Sequence, residues 1–283
     1  MISGENLHGR KFGGRMGSME EYMSEVNYYF GNGDYKDVLT CMASTKVNSY
    51  KTSSLPLAQF WNPNNKKLKG FFEKCKENGF DLSFGNRFFE YPTPCENNGE
   101  ELQYSSPSMT DLMIINEEYK IAIEAKYTEY SEGHYETIAE WNKEKAEHKR
   151  NIKNQWFKYI RNINATYNDD LLDDTIPYQF LHRTASACYK CDGKTPVLVY
   201  QLFYDNENIN KKDEFIGNLK EWANRLGFTD KIKFIVIEIE IKEIEKVKEK
   251  YDGVRSDLFL IMRKQKEPIY KFNWDGINVI RLK

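Results

Sequence analysis

Apolar residues recur at helical spacing along Leu68, Phe71, Phe72 and Cys75, and the pattern stops at Gly79, which predicts a helix over Asn64 to Asn78. Upstream, Met19 to Phe30 and Tyr35 to Met42 read as short helices around the Gly31-Asn32-Gly33 turn, and a polar loop from Ser44 to Ser54 leads to Leu55 to Trp61. Downstream the period shortens. Phe84 to Tyr91 reads as a strand, ended by Pro92 and Pro94, which open a polar loop to Pro107. Met109 to Ile115 and Lys120 to Tyr127 read as two further strands, and the short Asn116-Glu117-Glu118-Tyr119 link makes them a hairpin. A polar helix or helix pair is expected over Glu136 to Thr166, and another helix over Tyr178 to Tyr189. The unbroken apolar run Val197-Leu198-Val199-Tyr200 marks Pro196 to Tyr204 as a buried strand. An amphipathic helix, Lys212 to Leu226, precedes a strand at Lys231 to Ile241. The C-terminal part reads as a β-ribbon of Leu258 to Arg263 and Ile269 to Phe272, with a last strand at Ile277 to Leu282.

The order is helix, three strands, helix, strand, then further helices and strands, so the fold class is α/β: a mixed sheet flanked by helices. The chain divides into a loose start at 1–18, an N-terminal helical segment at 19–63, a core at 64–241 with a helical insertion near 136–166, and a C-terminal helix and β-ribbon extension at 242–283.

Composition narrows the classes. A chain of 283 residues sustains one large domain or a core with an added lobe, and 40% hydrophobic with 30% charged residues is ordinary for a soluble globular protein. No apolar run is long enough for a membrane span, and the Gly-rich, basic start lacks the apolar stretch of a secretory signal, so no membrane partner is expected. Five scattered cysteines argue against a disulfide framework and for a reducing, cytoplasmic setting. Cys188-x-x-Cys191 has no second pair at zinc spacing and reads as two unpaired thiols at a helix end. A net charge of −2 does not advertise a polyanionic partner, but a sum hides local faces. Lys143, Lys145, Lys149, Arg150, Lys153, Lys158 and Arg161 crowd one helical segment, with Trp156, Phe157 and Tyr159 interleaved. A solvated helix face and a phosphate-tracking face both account for them.

The stretch that carries chemistry is Thr110-Asp111, then twelve residues, then Glu124-Ala125-Lys126. Residues i and i+2 of a strand share a face, so Glu124 and Lys126 point together. Their neighbours Ile121, Ala122, Ile123 and Ala125 want burial, and charges in a buried strand are costly unless paired or bound to an ion. Asp111 stands on the other strand of the hairpin and can meet Glu124 across it. Two carboxylates beside an ammonium make an oxygen-ligand cation site, the arrangement that metal-assisted phosphodiester hydrolysis needs. The bland alternative is an exposed hairpin with ordinary charges.

Asp111 within Ser108-Met109-Thr110-Asp111, the Glu124-Ala125-Lys126 triplet and their places on the second and third strands resemble the PD-(D/E)XK nuclease superfamily, over about residues 64 to 205. Thr110 stands where the proline of the motif's name would be. The stretches Lys126-Tyr127-Thr128-Glu129 and Tyr178-Gln179-Phe180-Leu181-His182-Arg183 also look like a bacterial subgroup of restriction-endonuclease-like proteins of uncharacterised activity. The resemblance implies a restriction-endonuclease-like αβββαβ core and a Mg²⁺-dependent DNA endonuclease, with Mn²⁺ as a substitute and a restriction or phage-defence role. Asp111, Glu124 and the Ala125 carbonyl would hold the metal, with Lys126 near the water. Glu73, on the helix before the first strand, is a candidate further ligand, and Glu90 a second. Gln179 is favoured as the site glutamine over Gln155, because its helix leads directly into the strand near Val197. His182 and Arg183 lie within one turn of Gln179, so a common face is available. Lys149, Lys153, Arg161 and Arg183 are expected to contact nucleic acid, double-stranded DNA as first choice, and a homodimer is compatible with that partner. A catalytically silent nucleic-acid-binding module on the same fold, a repair nuclease and an RNase stay open.

Overall fold

The computed structural model describes residues 29–30, 35–45, 50–102, 105–130, 136–142, 147–164, 175–227, 231–251, 258–264 and 268–282. Strand β1 (Tyr29–Phe30) is followed by helices α1 (Tyr35–Thr45), α2 (Ser54–Phe60) and α3 (Leu68–Glu77). Next come β2 (Asn86–Thr93), the two-residue strands β3 (Glu96–Asn97) and β4 (Glu100–Glu101), and the hairpin strands β5 (Ser108–Ile115) and β6 (Tyr119–Lys126). Helices α4 (Ile138–Asn142), α5 (Glu147–Ile163) and α6 (Tyr178–Cys188) lead into β7 (Thr195–Tyr204). Helix α7 (Ile209–Arg225), β8 (Lys233–Glu243), α8 (Glu245–Tyr251), α9 (Leu258–Lys264), β9 (Tyr270–Phe272) and β10 (Asn278–Arg281) complete the chain.

One mixed, eight-stranded sheet runs in the order β1-β2-β5-β6-β7-β8-β10, with β9 paired to β8. The β2–β5 and β5–β6 neighbours are antiparallel, whereas β6–β7 and β7–β8 are parallel. Both faces are covered, and strand alternation assigns each residue to one of two cores. Leu112, Ile114, Ile121, Ile123, Val197 and Val199 face one core with α1, α2, α3 and α9. Met113, Ala122, Leu198 and Tyr200 face the other with α5, α6 and α7. Double coverage explains why β7 reads as a continuous apolar run. The hairpin link behaves as expected: Asn116 Oδ1 accepts from the Glu118 and Tyr119 N–H groups, and Asn116 N–H donates to Tyr119 O.

Four expectations need correction. Tyr29–Phe30, expected at the end of a helix, pairs with Phe88 and Arg87 as a strand; the rest of that stretch and the Gly31-Asn32-Gly33 turn lie outside the described residues. Pro92 does not end its strand but pairs with Met109. Among the described residues β1 reaches only Arg87 and Phe88, so at Pro92 β2 is an edge strand, where a missing N–H is tolerated. The loop to Pro107 contains the β3–β4 hairpin, turned by Asn98 and Gly99, both at positive φ. Leu258–Lys264 is a helix rather than a ribbon strand, and β9 and β10 both pair with β8, so the C-terminal strands extend the central sheet. An apolar run such as Leu-Phe-Leu-Ile-Met carries no period that separates helix from strand. No helix among the described residues is long and apolar enough to cross a membrane.

One buried amide ties the C-terminal segment to α2. Gln59 Oε1 accepts from Ile269 N–H (2.7 Å) and Tyr270 N–H (2.9 Å), and its Nε2 donates to Tyr270 O (2.6 Å). Gln59→Leu would leave two main-chain donors and an acceptor buried without partners. It is expected to destabilise the fold by about 2–4 kcal/mol, read as a lower urea midpoint. An unchanged midpoint would mean that water replaces the amide.

Candidate active site

The site forms where β5 and β6 part. Main-chain pairing of the hairpin ends at Leu112↔Ile123, and the same register carried one step further sets Asp111 opposite Glu124. There the Ala125 N–H donates to Asp111 Oδ2 at 2.8 Å, so a side chain takes the place of a ladder partner. Glu124 and Lys126 share the sheet face of Ala122, with Lys126 Nζ 3.0 Å from Glu124 Oε1. Asp111, Glu124 and Lys126 are all buried.

Helix α6 supplies the other wall. Gln179 Nε2 donates to Glu124 Oε1 at 2.9 Å, which fixes the amide's orientation, and Gln179 Oε1 is left buried without a hydrogen-bond partner. One turn further on, Arg183 lays its guanidinium along the same carboxylate. Nε stands 2.6 Å from Oε2 as an ion pair without an aligned N–H···O bond, and one terminal nitrogen lies 3.4 Å from Oε1. The other terminal nitrogen donates to Ser108 Oγ at 2.7 Å. Ser108 Oγ is also 2.9 Å from His182 Nδ1 and 3.1 Å from Ser186 Oγ, whose hydroxyl reaches His182 O at 2.9 Å. Three residues of α6 thus grip the first residue of β5, and His182 and Arg183 precede Ser186 by four and three residues, the spacing that puts each beside it.

The electrostatics follow from burial among charges. Burial alone would depress Arg183, but the charges of Glu124 and Asp111 outweigh it and raise its pKa above the ordinary arginine value. Burial, with Arg183 and Lys126 alongside, pushes His182 well below its usual range, so the ring is neutral at pH 7. Among the described residues no three His, Cys, Asp or Glu side chains form a ready-made metal cage. A carboxylate pair with a nearby carbonyl is nonetheless the donor set that suits Mg²⁺, which keeps several waters and takes substrate oxygens.

Asp111, Glu124, Ala125, Lys126, Gln179 and Arg183 therefore come together. Gln155, the rival glutamine, is buried in α5 and hydrogen-bonds Tyr159, not Glu124. Glu73 is not brought to the site: it is exposed on α3, whose buried residues pack in the core on the opposite sheet face from Glu124. Glu90 is buried and falls between the pairs Phe89↔Leu112 and Tyr91↔Thr110, across from Asp111. Its φ of 52° lies in the strained left-handed region and breaks the alternation, so that Phe88 and Tyr91 end on the same core. Lys149 and Lys153 are half-buried at the edge of the packed face of α5, with Lys149 Nζ 5.4 Å from the Trp141 ring centroid. Arg161 is exposed and lies about 80° around the helix from Lys153, so the three do not form one stripe. Cys188 and Cys191 are free and buried, and Cys191 Sγ lies 3.0 Å from Ala187 O.

Sequence reasoning assigned no role to Ser108, Ser186 or Lys120. Small hydroxyls carry no pattern of their own, so only the strand start before Asp111 marked Ser108. Lys120 is buried on the face of Glu124, donating to Tyr189 O with its ammonium 5.3 Å and 5.7 Å from the Tyr189 and Tyr91 ring centroids. Burial lowers it to about 8, a shift that the Cys191 and Cys188 thiols partly oppose.

No curated protein and no solved structure matches the chain. One family model does, over residues 33–265, which takes in the site and most of the sheet. The chain belongs to the family described as domain of unknown function DUF6946.

Proposed function

We propose that this protein is a Mg²⁺-dependent phosphodiester hydrolase, a DNA endonuclease on a restriction-endonuclease-like core, serving restriction or phage defence. The observation that carries the reading is the meeting of Asp111, Glu124 and Lys126 at the opened end of the hairpin, with Gln179 of α6 bonded to Glu124. Asp111, Glu124 and the Ala125 carbonyl would hold the cation, with Mn²⁺ as a substitute. When bound, it supplies Lewis-acid polarisation of a phosphoryl oxygen and a ligated water of lowered pKa. Lys126, 3.0 Å from Glu124, is placed to orient that water and to offset charge building on the phosphorus. Gln179 Oε1, a buried acceptor without a partner, suits a proton of the attacking water. Lys149, Lys153 and Arg161 remain candidates for backbone contacts that position a duplex without reading its sequence.

A second reading, a catalytically silent nucleic-acid-binding module on this fold, is favoured by one observation: Glu124 already receives Lys126, Gln179 and Arg183. Metal binding separates the two. Mn²⁺ titration followed by electron paramagnetic resonance, with a hydrolysis-resistant phosphorothioate duplex present, should show a saturable site in the wild type. The site should disappear in the Asp111→Asn/Glu124→Gln double variant. A wild type without such a site would leave the silent module.

A further inference from the structure

We infer that Arg183 is a built-in competitor of the metal at Glu124, so that the protein alone holds the cation weakly and takes it up together with a nucleic-acid phosphate. The inference rests on the reading above, and it adds an order of events to it. Four charged groups meet at the site: the carboxylates of Asp111 and Glu124, the ammonium of Lys126 and the guanidinium of Arg183. They sum to zero. Both side-chain oxygens of Glu124 are engaged, Oε1 by Lys126 at 3.0 Å and Gln179 at 2.9 Å, and Oε2 by Arg183 at 2.6 Å. The Lys126, Glu124 and Arg183 side chains are 9%, 3% and 11% exposed, so solvent screens them little. A dication placed on Glu124 there would meet two cations that already neutralise the carboxylate.

A phosphodiester removes that obstacle. It brings negative charge, and a guanidinium is shaped to receive it with two parallel N–H donors. Arg183 is built to make that exchange. Its contact with Glu124 pairs Nε with Oε2 at 2.6 Å without an aligned N–H···O bond and adds only one long hydrogen bond, from a terminal nitrogen to Oε1 at 3.4 Å, so it is chiefly Coulombic. Its far nitrogen is anchored by the 2.7 Å bond to Ser108 Oγ, which His182 and Ser186 hold in turn. The guanidinium is therefore tethered behind the carboxylate that it neutralises. His182 stays neutral in this network and adds no third cation. Linkage then makes the effect reciprocal: the phosphate raises metal affinity by the factor by which the metal raises duplex affinity.

The test is Mn²⁺ binding, read by electron paramagnetic resonance on the full chain, with and without a phosphorothioate duplex. In wild type, the duplex should tighten Mn²⁺ binding by at least about tenfold, the scale expected for one relocated charge at this separation. Arg183→Met should bind Mn²⁺ at least about tenfold more tightly than wild type without the duplex, and should gain less from adding it. Arg183→Lys keeps the charge and should stay close to wild type without the duplex, while gaining less from adding it because it lacks the paired donors. Ser108→Ala, which keeps the charge but removes the tether, should fall between, and it carries the test alone should Arg183→Met fail to fold. Wild type and Arg183→Met binding Mn²⁺ equally, or Ser108→Ala binding no better than wild type, would overturn the inference and leave the metal site standing. No Mn²⁺ binding by any of these proteins, with or without duplex, would remove the metal site as well.

Discussion

Asp111→Asn is expected to lower nucleic-acid cleavage by at least about two orders of magnitude while leaving the fold intact, the scale for losing a group that acts in the transition state. The asparagine keeps the shape, and its carbonyl oxygen can still accept the Ala125 N–H that Asp111 Oδ2 accepts at 2.8 Å. What it loses is one of the two charges available to a cation. Lys126→Ala should have an effect of the same order, since Lys126 is the ammonium nearest the carboxylate pair. Circular dichroism should be unchanged in both variants. Wild-type cleavage rates in either would mean that the opened hairpin end is structural and the chemistry lies elsewhere.

A gain in stability is expected from a residue outside the chemistry. Lys120→Met should stabilise the protein by about 2 kcal/mol near pH 7, because the ammonium is held in a buried position at a pKa of about 8 against an ordinary 10.5. The sign follows from proton counting. Between these two values the unfolded chain binds the proton and the folded chain does not, so wild-type stability rises with pH across that window. Below it the lysine is charged in both states and the burial cost is complete. The gain from Lys120→Met should therefore be full at neutral pH, fade as pH climbs from about 8, and be gone above the ordinary lysine value of 10.5. Loss of the donor to Tyr189 O offsets part of it. Urea unfolding of both proteins across this range checks the prediction. A destabilised Lys120→Met at pH 7 would mean that the Tyr91 and Tyr189 rings and the carbonyl outweigh the burial cost.

Much of this arrangement is legible from local pattern. The hairpin is readable because two apolar runs flank a short link with Asn116 in the turn, and the two-residue period of a strand alone puts Glu124 and Lys126 on one face. The α6 contribution is readable because Gln179, His182 and Arg183 fall within one turn, and that helix runs into β7. The residues that escaped are those whose roles depend on distant segments. Ser108 matters because three α6 side chains arrive beside it, and Lys120 is buried because Tyr189 at the end of α6 covers it. Glu73 follows its own helix pattern but belongs to the opposite face of the sheet, a distinction that depends on the side on which α3 packs. The strand at Tyr29–Phe30 exists through pairing with β2 and has no periodicity of its own to show.

The central claim, that Asp111, Glu124 and Lys126 form a metal-dependent phosphodiesterase centre, is tested most directly by incubating the full chain with plasmid, single-stranded DNA and RNA in Mn²⁺ or Mg²⁺. Controls contain a chelator or the Asp111→Asn protein. The account predicts internal cleavage of DNA that requires the metal and is lost in the variant. Cleavage that survives both the chelator and Asp111→Asn, or no cleavage of any of the three substrates under any of these conditions, would contradict it.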